Sequence, residues 1–293
     1  MTMSAHTRRR LTSLVPLLPA GLFLLGLFLV PLISTFVLSL RPTDSFYEPL
    51  PGFSAQQYAN VFTSSYYSGT LLYTVRMALI VTLSCAILAF PVAWLLINAR
   101  SRWMRTLIML IVVSPLLTSV VVRSAGWRIL LSAEGPLNSF LQAIGVTSGA
   151  LNLLTGPLMV MVVVIHVQLP FAVVTLSTSL SKIDPALLRA SSSLGASPLR
   201  TFGTVILPMS IPGLISGATI VFSLSMGIYV TPLLVGGANQ PLAGLRVYDQ
   251  ALRVFNKPGA AALSFTLLAI SLVAIAVLNA VSRAWDRRIH GRD

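Results

Sequence analysis

Six long apolar stretches, at about 14–40, 70–98, 106–131, 154–180, 210–235 and 259–282, alternate with shorter polar ones along this chain. Each meets the ~20 mostly apolar residues that a helix needs to cross a bilayer. The pattern predicts an all-α polytopic membrane protein, with residues 1–293 forming one transmembrane domain. Pro31, Pro91, Pro115, Pro170, Pro212 and Pro232 fall inside these stretches or at their ends, which predicts kinks and freed carbonyls that neighbours must satisfy.

The polar interruption at 182–208, K-I-D-P-A-L-L-R-A-S-S-S-L-G-A-S-P-L-R-T-F-G-T-V-I-L-P, is the most informative one. Asp184-Pro185 reads as an N-cap followed by proline in the first helical turn. Gly195 is placed to end that helix in the left-handed conformation. Ser197-Pro198 repeats the start signal, and Pro208 is expected to stop the second helix. The spacing puts Leu187, Ala190 or Ser191, and Leu194 on one face of the first helix, and Leu199, Phe202 and Val205 or Ile206 on one face of the second. Such an elbow is shaped to press into a cleft on a soluble partner. Two further short helices are expected, F-S-A-Q-Q-Y-A-N-V-F (53–62) and a stretch at 244–255.

Composition agrees: 55% hydrophobic residues against 9% charged lies far outside the soluble range. The net charge of +13 would suggest nucleic acid in a soluble chain. Here the cations sit at the ends of apolar runs, so topology accounts for them and no nucleic-acid partner is expected. Arg8, Arg9, Arg10, Arg100, Arg102, Arg105, Lys182, Arg189, Arg200, Arg283, Arg287, Arg288 and Arg292 fall on one side. Arg41, Arg123, Arg128, Arg246, Arg253 and Lys257 fall on the other. The excess places both termini and the elbow in the cytoplasm. The basic N-terminus resembles a signal peptide, but its apolar run is too long and reads as a retained first span.

Candidate chemistry is sparse. Cys85, the single cysteine, precludes a disulfide or thiolate cluster, and no metal-ligand or catalytic set emerges. The six spans carry no Asp or Glu. Arginines near them, Arg76, Arg123 and Arg128, must face a cavity, a partner or the interface, because a charge in hydrocarbon is costly. Arg76 is expected to snorkel outward. Arg123, Trp127, Phe222, Met226 and Tyr229 are candidates for lining a solute pathway, with helix packing as the alternative for the four uncharged residues. An acid-free, arginine-bearing route favours an anionic or zwitterionic solute. His166 is expected to bond a carbonyl freed by Pro170.

The elbow also resembles, in part, the cytoplasmic loop of the permease subunits of ATP-binding-cassette importers, E-A-A, three residues, G, nine residues, I-x-L-P. Gly195 follows Arg189 by six positions, and Val205-Ile206-Leu207-Pro208 completes the pattern. V-V-R-S-A-G-W-R-I-L-L-S-A-E-G-P-L-N (121–138), Y-V-T-P-L-L-V-G-G (229–237), V-Y-D-Q (247–250) and N-K-P-G-A-A-A (256–262) resemble the spermidine/putrescine-type members, so the likeness spans essentially the whole chain.

The resemblance implies the type I importer permease fold in a bacterial inner membrane. It implies docking of Asp184, Leu187, Arg189, Ala190, Leu194, Gly195, Ala196, Pro198, Phe202, Leu207 and Pro208 to a cytosolic ATPase dimer. It also implies a second, homologous permease (a heterodimer rather than a homodimer) and a periplasmic or lipoprotein solute-binding protein. No cofactor is expected on this chain, because ATP and Mg belong to the ATPase. The solute would be a polyamine, an amino acid or opine, or a phosphonate. Arg189 departs from the family's glutamate, which leaves ~1 kcal/mol of exposed charge contact to be rebuilt by an acidic partner group or by a second permease that keeps the glutamate.

Two other classes compete. An ion-coupled secondary transporter usually carries ionisable residues or discontinuous helices at mid-membrane. An intramembrane protease needs an activated serine or His-Glu-x-x-His, and neither is found. The chain also lacks a phosphate-binding G-x-x-x-x-G-K-[ST] loop, so any ATP-driven motion must come from a partner.

Overall fold

The computed structural model describes residues 18–154, 156–236 and 240–290. Arg8, Arg9, Arg10, Arg292 and residues 14–17 of the expected first span lie outside them. Among the described residues the elements are helical apart from one isolated bridge, Thr43 to Pro49. Among the described residues five helices are long and apolar enough to cross a membrane, or six when a bent pair counts as one.

Helix α1 (Leu18–Ser39) packs along the last helix, its Phe36 meeting Phe265 edge to face at 5.1 Å. A short helix α2 (Gln56–Thr63) leads into α3 (Ser65–Asn98). On α3, Val81, Cys85, Ala89 and Ala93 recur every fourth residue, and all are fully buried. That narrow stripe lets α3 lie close to α7 (Pro157–Leu180), which contributes Val160, Val164, Val173 and Leu176 to the same core. Lipid tails are as apolar as leucine, so close van der Waals contact, not exclusion from water, holds such helices together. The Cys85 thiol points at the Ile165 carbonyl, 3.7 Å away, as a small packed side chain.

The expected span at 106–131 is not one helix. It is α4 (Arg102–Leu117) and α5 (Val120–Leu130), bent by 103°. Pro115 has no N–H to give the Ile111 carbonyl, and Ser114 Oγ serves that carbonyl instead at 3.1 Å. Thr118 and Ser119 are extended, and Thr118 Oγ1 caps the Pro115 carbonyl at 3.1 Å. Hydroxyl groups thus satisfy the backbone that the break frees.

After α5, Gly135 begins α6 (Pro136–Ala143) where a Cβ would lie 2.5 Å from the Ile129 carbonyl oxygen. Buried Asn138 bonds the Ser132 carbonyl and both backbone groups of Leu151, folding the connection back on itself.

The elbow follows α7. It comprises α8 (Pro185–Ser193), the single turn α9 (Pro198–Thr201) and a π-helical turn, Phe202–Ile206, which runs without a break into α10 (Leu207–Met226). Pro208 therefore does not stop the second helix. The Leu207 N–H reaches back to the Phe202 carbonyl, and the widened turn accommodates a proline ring that a regular turn would reject.

The stretch 210–235 is also divided. Gly227 ends α10, and α11 (Val230–Val235) is separate. Next comes α12 (Ala243–Leu252), whose first N–H donates to Thr74 Oγ1 of α3 at 2.8 Å, satisfying an orphan donor. Asp249 pairs with Arg246 at 3.0 Å and Arg253 at 3.2 Å. Asn256 caps α13 (Lys257–His290) by accepting from the Gly259 N–H. Arg76 is exposed on α3.

Candidate functional site: the elbow and a cavity at the helix break

The elbow is built by local chemistry. Asp184 is the N-cap of α8, its Oδ1 accepting from the Ala186 N–H at 2.8 Å. Leu194 is the C-cap, and Gly195 follows with φ +75°, where its N–H reaches the Ser192 carbonyl at 3.0 Å and the Ala196 N–H reaches Ser191 at 3.1 Å. This paired closure reverses the chain. Ser197 then caps α9 through the Arg200 N–H, and a 2.8 Å hydrogen bond between the Ser191 and Thr201 hydroxyls ties the two helices together.

The tip carries apolar side chains into the open: Leu194 is 87% exposed and Leu199 81%, with Leu187 at 43%. Arg189, Ala190, Gly195 and Pro198 are exposed beside them, and Lys182 and Arg200 add positive charge. Phe202 does not share that surface. It turns inward onto Phe90 of α3, with ring centroids 4.9 Å apart, and Ile206 is buried behind it. Leu207 and Pro208 are only partly exposed, at the root of α10.

At the break between α4 and α5 lies a cavity of about 360 Å³. Its wall includes Thr118 and Arg123 from the bent pair, Gln168 and Phe171 from α7, and Tyr229 and Thr231 around the start of α11. The Arg123 guanidinium donates to the Pro115 carbonyl across the break. Gln168 is almost wholly buried, and its Nε2 donates to Ser225 Oγ at 2.9 Å. Ser124 Oγ donates to Thr231 Oγ1 at 3.2 Å, tying α5 to α11. Tyr229 stacks on Tyr248 of α12 at 5.7 Å and also borders a second, larger cavity of about 600 Å³.

The sequence-predicted pathway residues divide accordingly. Arg123 and Tyr229 line the cavity at the break. Trp127 stands on α5 with its indole N–H donating to His166 Nδ1 at 3.2 Å, so the histidine bonds an indole and not a freed carbonyl. Phe222 and Met226 are buried with Leu71, Ala78 and Leu263, although Met226 also borders the larger cavity. Arg128 is exposed and does not border the cavity at the break. Gln168, Ser225 and Thr231 escaped the sequence reading. The available signal was an amide two residues before a mid-span proline, in a helix otherwise rich in valine.

The family described as binding-protein-dependent transport system inner membrane component matches residues 61–291. A protein named spermidine/putrescine transport system permease protein PotB, from Salmonella typhimurium (strain SL1344), is 33% identical over 237 residues, covering 81% of this chain and 82% of its own. The inner membrane ABC transporter permease protein YdcU of Escherichia coli (strain K12) is 36% identical over 216 residues, 70% of this chain and 68% of its own. Among solved structures, the bacterial alginate ABC transporter in complex with alginate pentasaccharide-bound periplasmic protein shares the fold. Its TM-score is 0.77 at 19% identity, covering 94% of this chain and 96% of that one.

Proposed function

The chain belongs to the family of binding-protein-dependent transport system inner membrane components, and from that premise we propose that residues 185–206 dock into a groove on a cytosolic ATPase. It is the membrane-spanning permease of an ABC importer of the polyamine type. The observation that carries the docking is the elbow tip, where Leu194 and Leu199 stand almost fully exposed on a reversal fixed by Gly195. Exposed apolar side chains rimmed by charge mark an interaction surface.

In this reading the chain performs no chemistry and binds no nucleotide; ATP and Mg sit on the ATPase. Closure of the ATPase dimer moves the elbow, and the π-helical turn with Phe202 on Phe90 carries that motion to α10 and α3 as a mechanical link. A second, homologous permease completes the pathway, and a periplasmic or lipoprotein binding protein delivers solute to the side that carries α2 and α12. Both termini lie in the cytoplasm. A polyamine is the solute suggested by the relatives' names, with amino acids, opines and phosphonates as the other classes.

Arg189 tests the docking. Arg189→Glu is expected to change ATPase stimulation about fivefold while leaving the amount of membrane-inserted permease unchanged, the size of ~1 kcal/mol at a semi-exposed charge contact. The checks are ATP hydrolysis by the reconstituted complex and quantitative blotting of membranes. Equal hydrolysis and equal uptake in the variant would count against a contact at this position.

A further inference from the structure

We propose that the cleft where the end of α3, the start of α4 and the end of α7 meet binds an anionic phospholipid, phosphatidylglycerol. The cleft holds about 430 Å³ and has a divided wall, apolar at Leu96, Met109 and Leu110 and polar at Arg105 and four hydroxyl residues. Cations at the ends of spans follow from topology, but Arg105 differs in being held over a cavity. Its Nε donates to the Leu96 carbonyl at 3.4 Å, across the α3–α4 connection. Among the described residues the rest of its guanidinium has no acceptor, and no residue bordering the cleft is acidic. Arg102 precedes it by one turn on α4, and Lys182 directly follows Ser181 of the cleft wall; both are exposed. Asp184, close by in sequence, caps α8 through the Ala186 N–H and does not border the cleft.

A phosphodiester answers this uncompensated charge with charge-assisted hydrogen bonds, and basic pockets between membrane helices suit acidic headgroups. The hydroxyls sharpen the class. Thr106, Ser177, Thr178 and Ser181 each already donate to a backbone carbonyl three or four residues back, at 2.9–3.0 Å. A hydroxyl has one proton to give, so each offers the cleft lone pairs and takes a donor from the ligand. The glycerol headgroup of phosphatidylglycerol brings two such O–H donors without charge. The ammonium of phosphatidylethanolamine also donates, but it would stand among Arg102, Arg105 and Lys182 with no acid beside it. The apolar wall takes the first carbons of an acyl chain, which a free phosphate lacks. Trp103, 74% exposed on the same first turn of α4, is the residue type that anchors a helix at headgroup depth.

The test uses the assembled complex, both permeases with the ATPase dimer, purified in detergent and stripped of lipid. It is titrated with phosphatidylglycerol, with phosphatidylethanolamine of the same acyl chains, and with glycerol 3-phosphate, and bound molecules are counted by native mass spectrometry. Phosphatidylglycerol is expected to bind about tenfold tighter than phosphatidylethanolamine, and glycerol 3-phosphate not at all. Arg105→Gln is expected to weaken one bound phosphatidylglycerol by about tenfold, the loss of a charge-assisted hydrogen bond, and Arg105→Lys to weaken it less. Arg283→Gln, which removes a cation of the last helix that does not border the cleft, is expected to change nothing. Equal affinity for the two lipids overturns the site, as does equal loss in Arg105→Gln and Arg283→Gln, which would mean diffuse attraction. Glycerol 3-phosphate bound as tightly as lipid would make it a site for a free anion. No retained lipid would mean that the second permease covers the cleft. If Arg105→Gln fails to assemble, Arg105→Lys and the ranking of headgroups decide. None of these outcomes touches the importer reading, which stands or falls on whether uptake requires ATP hydrolysis.

Discussion

Gly195→Pro is expected to abolish association of the permease with its ATPase while leaving the chain inserted in the membrane. Gly195 sits at φ +75°, a conformation closed to proline, whose ring fixes φ near −65°. The substitution also removes the N–H that reaches the Ser192 carbonyl. Losing both costs about 3 kcal/mol or more, enough to move the elbow into other conformations. The spans should survive, because the elbow connects to them through Phe202 on Phe90 and through buried Ile183 and Ile206, all away from the reversal. Gly195→Ala separates strain from crowding. A Cβ meets nothing within 4 Å there, so alanine carries only the left-handed penalty of about 1–2 kcal/mol and should retain part of the binding. The measurement is co-purification of the ATPase with tagged permease, and full recovery with the proline variant would remove the elbow from the docking surface.

The second large effect lies in the membrane. Gly213 of α10 approaches α7 so closely that an added Cβ would stand 2.4 Å from the Ser179 Cβ and 3.1 Å from the Thr175 carbonyl oxygen. One turn on, a Cβ at Gly217 would stand 2.6 Å from Thr175 Oγ1 and 3.3 Å from the Ala172 Cα. Backbone cannot step aside as a flexible side chain does. Gly213→Leu is therefore expected to push α7 and α10 apart at a cost of about 3 kcal/mol, the upper end of overpacking effects. The pair also carries the Gln168–Ser225 hydrogen bond, so the cavity wall should distort with it. Thermal unfolding of the purified permease should show a lowered midpoint and a reduced monodisperse fraction. An unchanged midpoint would mean that the helices are not held at this distance.

Some of this architecture could be read from residue order alone because its causes are local. Asp184-Pro185, Gly195 and Ser197-Pro198 each act within a turn of themselves, and the caps and reversal appear where those residues stand. Apolar length likewise pointed to the helices Ser65–Asn98 and Pro157–Leu180, but not to the divisions within 106–131 and 210–235 or to the extension of the last helix to His290. The break at Thr118–Ser119 was not legible. Pro115 is one of several mid-span prolines, and Ser114, Thr118 and Arg123, which serve the carbonyls at the 103° bend, are residue types that also occur along unbroken spans.

The inward turn of Phe202 was hidden for a related reason. A simple helical period assigns it to the face of Leu199, but the structure seats its ring on Phe90 at the start of a π-helical turn, where that period does not hold. Phe222 and Met226 were ambiguous in principle. A membrane helix uses the same residue types to line a cavity and to pack against a neighbour, and only the positions of α3, α12 and α13 decide between them. Gln168 stood out only as an amide in a valine-rich span, and its partner Ser225, 57 residues away, becomes visible only once α7 and α10 are packed together.

Import driven through the elbow by a partner's ATP hydrolysis can be measured as uptake into proteoliposomes. The permease pair is reconstituted with either the intact ATPase or a hydrolysis-dead variant, with the solute-binding protein and labelled solute supplied outside and ATP inside. Uptake is expected with the intact enzyme, none with the dead one, and none when the binding protein is omitted. Uptake that persists with the dead ATPase and follows an imposed ion gradient would contradict it and make the chain a secondary transporter.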